Sequence, residues 1–297
     1  MKLELKITRL VILVITGLTG TFINSIIVVL NFRFWRDVTT SKSYNRLLFV
    51  IGLTNTILQV HMIFDAILET FSLYLLQENL FSYMLFFGFT LIDVNVWNTT
   101  WLSLLCCVRL VNSSYCFYLK IKAKFFSSLP LLIVGSVLFA VAINLPIIWT
   151  TKLHRATNIT DSPASGYFII LDAYYIICSS LFGFTVPFCM TCVSIGFSIS
   201  TLLGHIRRME RSDSQLTSAQ LQGHYRAVKT MVIRGLLDFS FFFIIVLGAS
   251  VPLILNSTAY TCLWLAVLMY PTSQAFILVF GNPKLKSAVY GLMKCLD

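Results

Sequence analysis

Between Phe239 and Pro283 the chain runs for 45 residues without one Asp, Glu, Lys or Arg. A single membrane crossing takes ~20 residues, so this stretch is too long for one. Pro252 and the triplet Asn256-Ser257-Thr258 divide it, because proline ends a helix and Asn-Ser-Thr is turn material. Leu10 to Phe32, Leu47 to Phe64, Phe125 to Thr151 and Ala173 to Ile206 are also free of formal charge, and Phe81 to Val108 is interrupted only by Asp93. With 57% hydrophobic and 11% charged residues in a chain of 297, a water-soluble domain would leave much apolar surface wet. Lipid is the solvent that fits. There each backbone polar group must be paired within its own segment, which selects helices over strands at these lengths. The expected architecture is an all-α membrane protein, a seven-transmembrane-helix bundle. It forms one domain over 1–297 with approximate spans 10–32, 47–70, 81–108, 126–149, 170–204, 229–252 and 260–280.

Lys2, Lys6 and Arg9 precede the first apolar run, as in a secretory signal, but that run continues to Leu30, beyond the 7–15 residues of a signal core. It reads as a membrane helix. Of the 22 Lys and Arg residues, 17 fall in the 1–2, 3–4 and 5–6 loops, at the adjoining helix ends or in the C-terminal tail. Cytoplasmic loops carry such an excess, so the N-terminus is expected outside and the C-terminus in the cytosol. The sequon Asn158-Ile159-Thr160 then lies in an external loop, where glycosylation can reach it. Asn256 is a second external match, whereas Asn98 and Asn112 fall within span 3 or at its inner end. The uncharged run to Ile206 would be ~50 Å long as a helix, more than a ~30 Å hydrocarbon core. Helix 5 is therefore expected to project into the cytosol, where it meets the basic 5–6 segment containing Arg207, Arg208, Arg211, Arg226 and Lys229. A bland alternative is a charge cluster that only fixes orientation and attracts anionic lipid.

The net charge of +10 does not point to nucleic acid, because the basic residues sit in short gaps between apolar segments rather than on one water-facing patch. Seven crossings of ~24 residues leave roughly 130 for loops and tails, too few for an ATPase, a kinase or a large ligand-binding domain. No Walker A loop and no HExxH is present, and Cys189 and Cys192 lie inside apolar helix 5 with packing the expected role. Neither an enzyme, a cofactor nor a metal is expected. A small carrier should show internal repeats or paired broken helices, and none is visible. Near the outer face only Cys262 and Cys178 are available, and Cys295 in the basic tail is a palmitoylation candidate.

Seven helices with basic inner loops suit a G-protein-coupled receptor. The rhodopsin-like signatures are missing: no Asp/Glu-Arg-Tyr ends helix 3, and no Asn-Pro-x-x-Tyr stands in helix 7. His205 and Met209, then His224, Ala227, Lys229 and Thr230, form a helix 5–6 junction of the type His-x-x-x-Met … His-x-x-Ala-x-Lys-Thr. Residues 270–286 carry Phe-Ile-Leu, Gly-Asn and Lys-Leu-Lys, and helix 3 has Leu102-Ser103, Arg109 and Asn112-Ser113-Ser114. With Asn24, Pro187 and the Asn158 sequon, the chain resembles the bitter taste receptors (taste receptor type 2) over nearly its whole length. It departs from them at Asn55, where Arg is usual, and at Gln274-Ala275, where His-Pro is usual. The departures imply a divergent member, as in a non-mammalian vertebrate. Vomeronasal type 1 receptors are the nearest alternative family, and the His-x-x-x-Met junction argues against them.

The resemblance implies small, mostly apolar bitter agonists as ligands, a gustducin-type or inhibitory-class heterotrimeric G protein as partner, and membrane lipid as surroundings. Ligand-contacting positions of relatives fall on Gly88, Ile92, Phe241 and Trp264. Asp93 is the one carboxylate within span 3. At mid-span it costs at least ~2.5–3.5 kcal/mol, so it should face the bundle and have a partner. It is either a counter-ion for cationic agonists, a neutral hydrogen-bond donor, or a carboxyl satisfied by hydroxyls of helix 4 or 5. Phe89, Ser179, Ser180 and Phe184 are placed around the same cavity. His61, Asp65 and Glu69 share one face of helix 2, as a rim acidic patch or a solvated helix end. At the inner side Arg234 and Asp238, four apart, can pair with each other or with Arg109. Together with His205, Arg207, Arg208 and Lys229 they mark the expected G-protein face.

Overall fold

The computed structural model describes residues 3–36, 42–71, 73, 78–110, 116–150, 152–155, 167–170, 172–211, 218–250 and 258–294. These are almost wholly helical. The long helices are α1 (Leu3–Arg36), α2 (Lys42–Thr70), α3 (Glu78–Leu110) and α4 (Cys116–Asn144). A short α5 (Ile147–Thr150) and a hairpin of β1 (Lys152–Arg155) with β2 (Tyr167–Ile170) lead into α6 (Ala173–Cys178). A π-helical turn (Ser179–Thr185) joins α6 to α7 (Val186–Arg211), and α8 (Ser218–Ser250), α9 (Thr258–Gly281) and α10 (Pro283–Lys294) complete the chain.

Five of these helical stretches are long and apolar enough to cross a membrane: Leu10–Arg33, Ser43–Thr70, Asn79–Leu110, Lys122–Thr150 and Ala173–Gly204. The pair Leu265–Gly281 and Leu285–Gly291, bent at the break between them, makes a sixth. α8 is not among them. Arg226, Lys229, Arg234 and Asp238 occupy its first two thirds, and only 12 uncharged residues, 239–250, follow within the described helix.

Two expected boundaries shift, each for a local reason. The expected span 126–149 lies within the apolar stretch Lys122–Thr150, but its helix is interrupted after Asn144, where Pro146 has no N–H to continue the ladder and the Ile148 N–H turns to the Leu145 carbonyl at 3.2 Å. The expected span 170–204 begins only at Ala173, since Ile170 pairs with Lys152 in the antiparallel hairpin. Asp172 starts that helix as its N-cap, accepting from the backbone N–H of Tyr174 and Tyr175. Further along, the Val186 N–H reaches back five residues to the Leu181 carbonyl, widening the turn before Pro187. α10 was not foreseen. Pro283 opens it at the favoured first position, and its buried Leu285 joins Ile27, Leu47 and Leu278 in a core at this end.

α3 is the central rod. It packs on α2, α4, α5 and α7, while α1 lies on α2 and α9, and α8 sits between α7 and α9. A middle core gathers Leu58, Ile92, Phe184, Phe241, Leu268 and Tyr270, and a third core at the hairpin end holds Phe81, Leu85, Ile147 and Tyr175. Cys189 and Cys192 are exposed on the bundle's outer face, not packed inside it. Asn98 is fully buried in α3, so its sequon is inaccessible to glycosylation in the fold. The sequons at Asn112, Asn158 and Asn256, and Cys295, lie outside the described residues.

Candidate functional site

Four helices meet around one small cavity in the middle of the bundle. α3 brings Val96 and Thr100, α7 with its preceding π turn brings Phe184, Phe188 and Thr191, α8 brings Asp238, Phe241 and Phe242, and α9 brings Tyr270. The spacings follow helical geometry, since residues three or four apart share a face. The cavity volume is about 20 Å³, the room of one water rather than of a drug-sized molecule. Its walls are mainly aromatic. Phe241 stacks on Tyr270 with ring centroids 4.0 Å apart, and Phe188 stacks on Phe242 at 5.3 Å. The hydroxyls of Thr100 and Thr191 meet at 3.2 Å on the opposite side. Asp238 is the only charged residue among the described lining residues, and its Oδ1 accepts from the Tyr270 hydroxyl at 2.9 Å.

The ligand-contact positions expected from sequence divide among three places. Ile92, Phe184 and Phe241 come together in the middle core, with Phe184 and Phe241 on the cavity wall. Gly88 turns toward α2 instead, where an added Cβ would stand 2.9 Å from His61 Nε2. His61 is buried there, edge-on to Phe87, and so belongs to the interior. Phe89 packs into the hairpin-end core. The Trp264 side chain lies outside the described ones.

Asp93 does not share Ile92's surroundings, because successive helical residues point about 100° apart. It is 1% exposed, and its Oδ2 accepts from Asn144 Nδ2 of α4 at 2.7 Å. The Tyr175 hydroxyl in turn donates to Asn144 Oδ1 at 2.8 Å, and Ser179 hydrogen-bonds Tyr175. Asp93 Oδ1 has no hydrogen-bond partner and faces Gly183, where an added Cβ would come within 2.8 Å. Oδ2 is thus satisfied by an amide of α4, not by a hydroxyl, and the carboxyl closes the joint between α3, α4 and the π turn. Ser180 is half-buried in that turn, its carbonyl accepting from Thr185 Oγ1.

From the cavity a polar chain runs through the bundle. Gln274 Nε2 donates to the Tyr270 hydroxyl at 3.4 Å, and Asn55 Nδ2 donates to Gln274 Oε1 at 2.7 Å and to Asn24 Oδ1 at 3.1 Å. Asn95 Nδ2 donates to Asn55 Oδ1. Gln59 Nε2 donates to Thr272 Oγ1 at 2.7 Å beside them. The two departures from the usual pattern, Asn55 and Gln274, are therefore direct partners. A neutral amide in each place gives a donor and an acceptor that match, with no buried charge to neutralise.

The residues expected to couple at the other end meet only in part, with Arg234 acting electrostatically on Asp238. Arg109 is exposed and lies over the Tyr44 ring, 5.6 Å from its centroid. Arg234 is 4% exposed, acts electrostatically on the same tyrosine, and leaves its Nε and Nη2 without hydrogen bonds. Asn282 hydrogen-bonds Tyr44 as well, so α2, α3, α8 and the α9–α10 break converge there. Asp238 lines the cavity, one turn along α8 from Arg234, which acts on it electrostatically. Arg207 and Lys229 are exposed, and the side chains of His205 and Arg208 lie outside the described ones. Sequence reasoning missed Val96, Thr100, Phe188, Thr191, Phe242 and Tyr270. Extending the Ile92 face by one and two turns would have found the first two.

A model of the taste receptor protein (TAS2R) family matches residues 1–297. Among curated relatives, taste receptor type 2 member 41 of Pan paniscus is 28% identical over 211 residues, and the match covers 66% of each chain. Member 119 of Rattus norvegicus is 25% identical, covering 93% of this chain and 81% of its own. Member 40 of Gallus gallus is 25% identical, covering 96% and 93%.

Proposed function

The chain belongs to the taste receptor protein (TAS2R) family, and from that premise we propose that it is a bitter taste receptor of the G-protein-coupled class. It is a multi-pass membrane protein with seven crossings in one domain, the N-terminus outside. Small agonists enter the bundle from the outer side and reach the aromatic cavity between α3, α7, α8 and α9. The α10 end, with Arg109, Arg234, Lys229 and the α7–α8 junction, engages a heterotrimeric G protein of the gustducin or inhibitory type. The seventh crossing is assigned to α8, and Asn158 is the external glycosylation site.

The observation that carries this reading is the cavity's connection to the rest of the bundle. Tyr270 holds Asp238 on α8 with one hydroxyl and receives Gln274 on α9 with the same oxygen. A ligand shifts a helix only through different affinity for two packings. Anything that competes for Asp238 or displaces Tyr270 changes the contact between α8 and α9, which is such a two-packing element.

Two tests follow. An epitope tag on the N-terminus should bind antibody on intact cells; labelling only after permeabilisation would overturn the orientation. Co-expression with a promiscuous G-protein α subunit should give calcium signals to part of a bitter-compound panel, and silence across a broad panel with the receptor at the cell surface would count against the reading. In that assay Tyr270→Phe should lower agonist potency by about tenfold, the equivalent of ~1.4 kcal/mol, by removing two hydrogen bonds of ordinary strength. Surface level should be unchanged.

A further inference from the structure

The joint that encloses Asp93 is a circuit of hydrogen bonds with one proton missing. Asn144 Nδ2 reaches the Ala140 carbonyl at 2.9 Å and Asp93 Oδ2 at 2.7 Å. A backbone carbonyl can only accept, so the amide cannot be reversed, and its Oδ1 is left to accept from the Tyr175 hydroxyl at 2.8 Å. With its own proton directed at Asn144, the Tyr175 oxygen accepts from Ser179, the first residue of the π turn. Donation therefore runs one way, from Ser179 through Tyr175 and Asn144, and ends on Asp93 Oδ2. Asp93 Oδ1 lies back against the same turn at Gly183, buried and with no donor to meet it.

As a carboxylate, Asp93 would sit 1% exposed in the membrane-embedded bundle with one neutral amide donor for two oxygens. Among the described residues no cation acts on it, and the titratable group beside it is the Tyr175 phenol. An unpaired charge so deeply buried is costly enough that a protein neutralises the group instead. We propose that Asp93 is a neutral carboxylic acid with its proton on Oδ1, and that this acid is a positioning residue for the π turn and, through the turn, for the Phe184 wall of the cavity. Oδ2 is then the carbonyl oxygen that Asn144 requires, and Oδ1 becomes the donor that closes the circuit onto the turn. Gly183 makes the approach possible, since a Cβ there would stand 2.8 Å from Oδ1. Phe184 follows it directly, 3% exposed, with its ring centroid 6.3 Å from that of Phe241. The turn departs from α-helical pairing over Ser179–Thr185, so the direction of Phe184 depends on what holds the turn in place. α3 holds it through Asp93.

The proton is tested without signalling; only its bearing on agonists rests on the receptor reading. The full-length protein in detergent is prepared with carbon-13 in its aspartate carboxyl groups, and its infrared spectrum is recorded. The expected result is a protonated-carboxyl carbonyl band that moves to lower frequency with the label and is absent from Asp93→Asn. Asparagine keeps a neutral acceptor and a neutral donor at this position. Asp93→Asn should therefore hold the thermal midpoint and keep agonist potency within about twofold, whereas Asp93→Leu should lower the midpoint and reduce potency about tenfold or more. Gly183→Ala should shift the frequency of the same band, and it decides the matter if Asp93→Asn does not fold. Identical carboxyl bands with and without Asp93, a band unmoved by Gly183→Ala, or a folded asparagine variant with the losses of the leucine one each overturn the inference. Calcium signals from a protein that lacks the band would sink this acid and leave the receptor standing. The band, with midpoints that separate Asp93→Asn from Asp93→Leu but no calcium signal, would do the reverse.

Discussion

Asn55→Leu is expected to destabilise the folded bundle by about 3 kcal/mol, seen as a lower thermal midpoint in detergent and a lower surface level in cells. Asn55 is fully buried and serves three helices at once: it donates to Asn24 and Gln274 and accepts from Asn95. Leucine has similar bulk, so the cost is not a cavity. It is the loss of partners for an oxygen on Asn24, an oxygen on Gln274 and an amide on Asn95. Each buried group left unpaired costs about 1–3 kcal/mol in proteins generally, and interhelical hydrogen bonds in membranes average less, about 0.6 kcal/mol each by double-mutant cycles. A total near 3 kcal/mol lies between these scales. The double replacement Asn55→Leu with Gln274→Leu should cost less than the sum of the two single changes, because it removes donor and acceptor together. Strict additivity would mean the two amides do not interact in the folded protein.

Gly20→Val is expected to be at least as damaging, with little folded receptor recovered. Gly20 faces the buried junction of α1, α2 and α9, and any Cβ placed there would overlap Gln59 Nε2 and Thr272 Oγ1. Those two atoms are hydrogen-bonded to each other at 2.7 Å, and the Gln59 side chain is fully buried. Relief would require breaking that bond and moving α1 outward, which also breaks the 3.4 Å contact of its own Asn24 with Gln59. Overpacking alone usually costs about 1–3 kcal/mol, and the broken polar contact adds to it. Gly20→Ala gives a graded comparison with the same overlap and less bulk. Near-normal yield for the valine variant would show that α1 is free to shift at this point.

Much of this molecule could be read from its residue order, and the misreadings share a cause. The uncharged runs mark where the long helices lie, because the cost of placing a charge in lipid is a local property of each segment, but not where they begin: α4 starts at Cys116 and α8 at Ser218, about ten residues before the expected spans. Leu145-Pro146 and the hairpin before Asp172 moved two boundaries. Both depend on backbone hydrogen bonds that an apolar run does not report. The polar residues inside the runs, Asn24, Asn55, Asn95, Gln274 and Asp93, were visible as exceptions. Their partners were not. Asn55 and Gln274 stand 219 positions apart in the chain, and the cost of a carboxylate in lipid told that Asp93 faces the bundle, not that its partner is Asn144. The spacing of Asp238 from Arg234 is matched by an electrostatic interaction between them, but the hydrogen bond that Asp238 accepts from Tyr270 of the next helix is not legible in that spacing.

What the sequence by itself determined is that this chain lives in a bilayer as a helical bundle of the taste receptor family, with its motifs at the helix ends. Only the tertiary structure decided which acid is sealed and which opens on a cavity, and which amides answer one another. The physical reason lies in the solvent. In water a helix declares its inner face by a stripe of apolar residues, but in lipid both faces are apolar and interior contacts rest on close packing and hydrogen bonds. Direction around each helix is then settled by its neighbours, and no single segment carries that information alone.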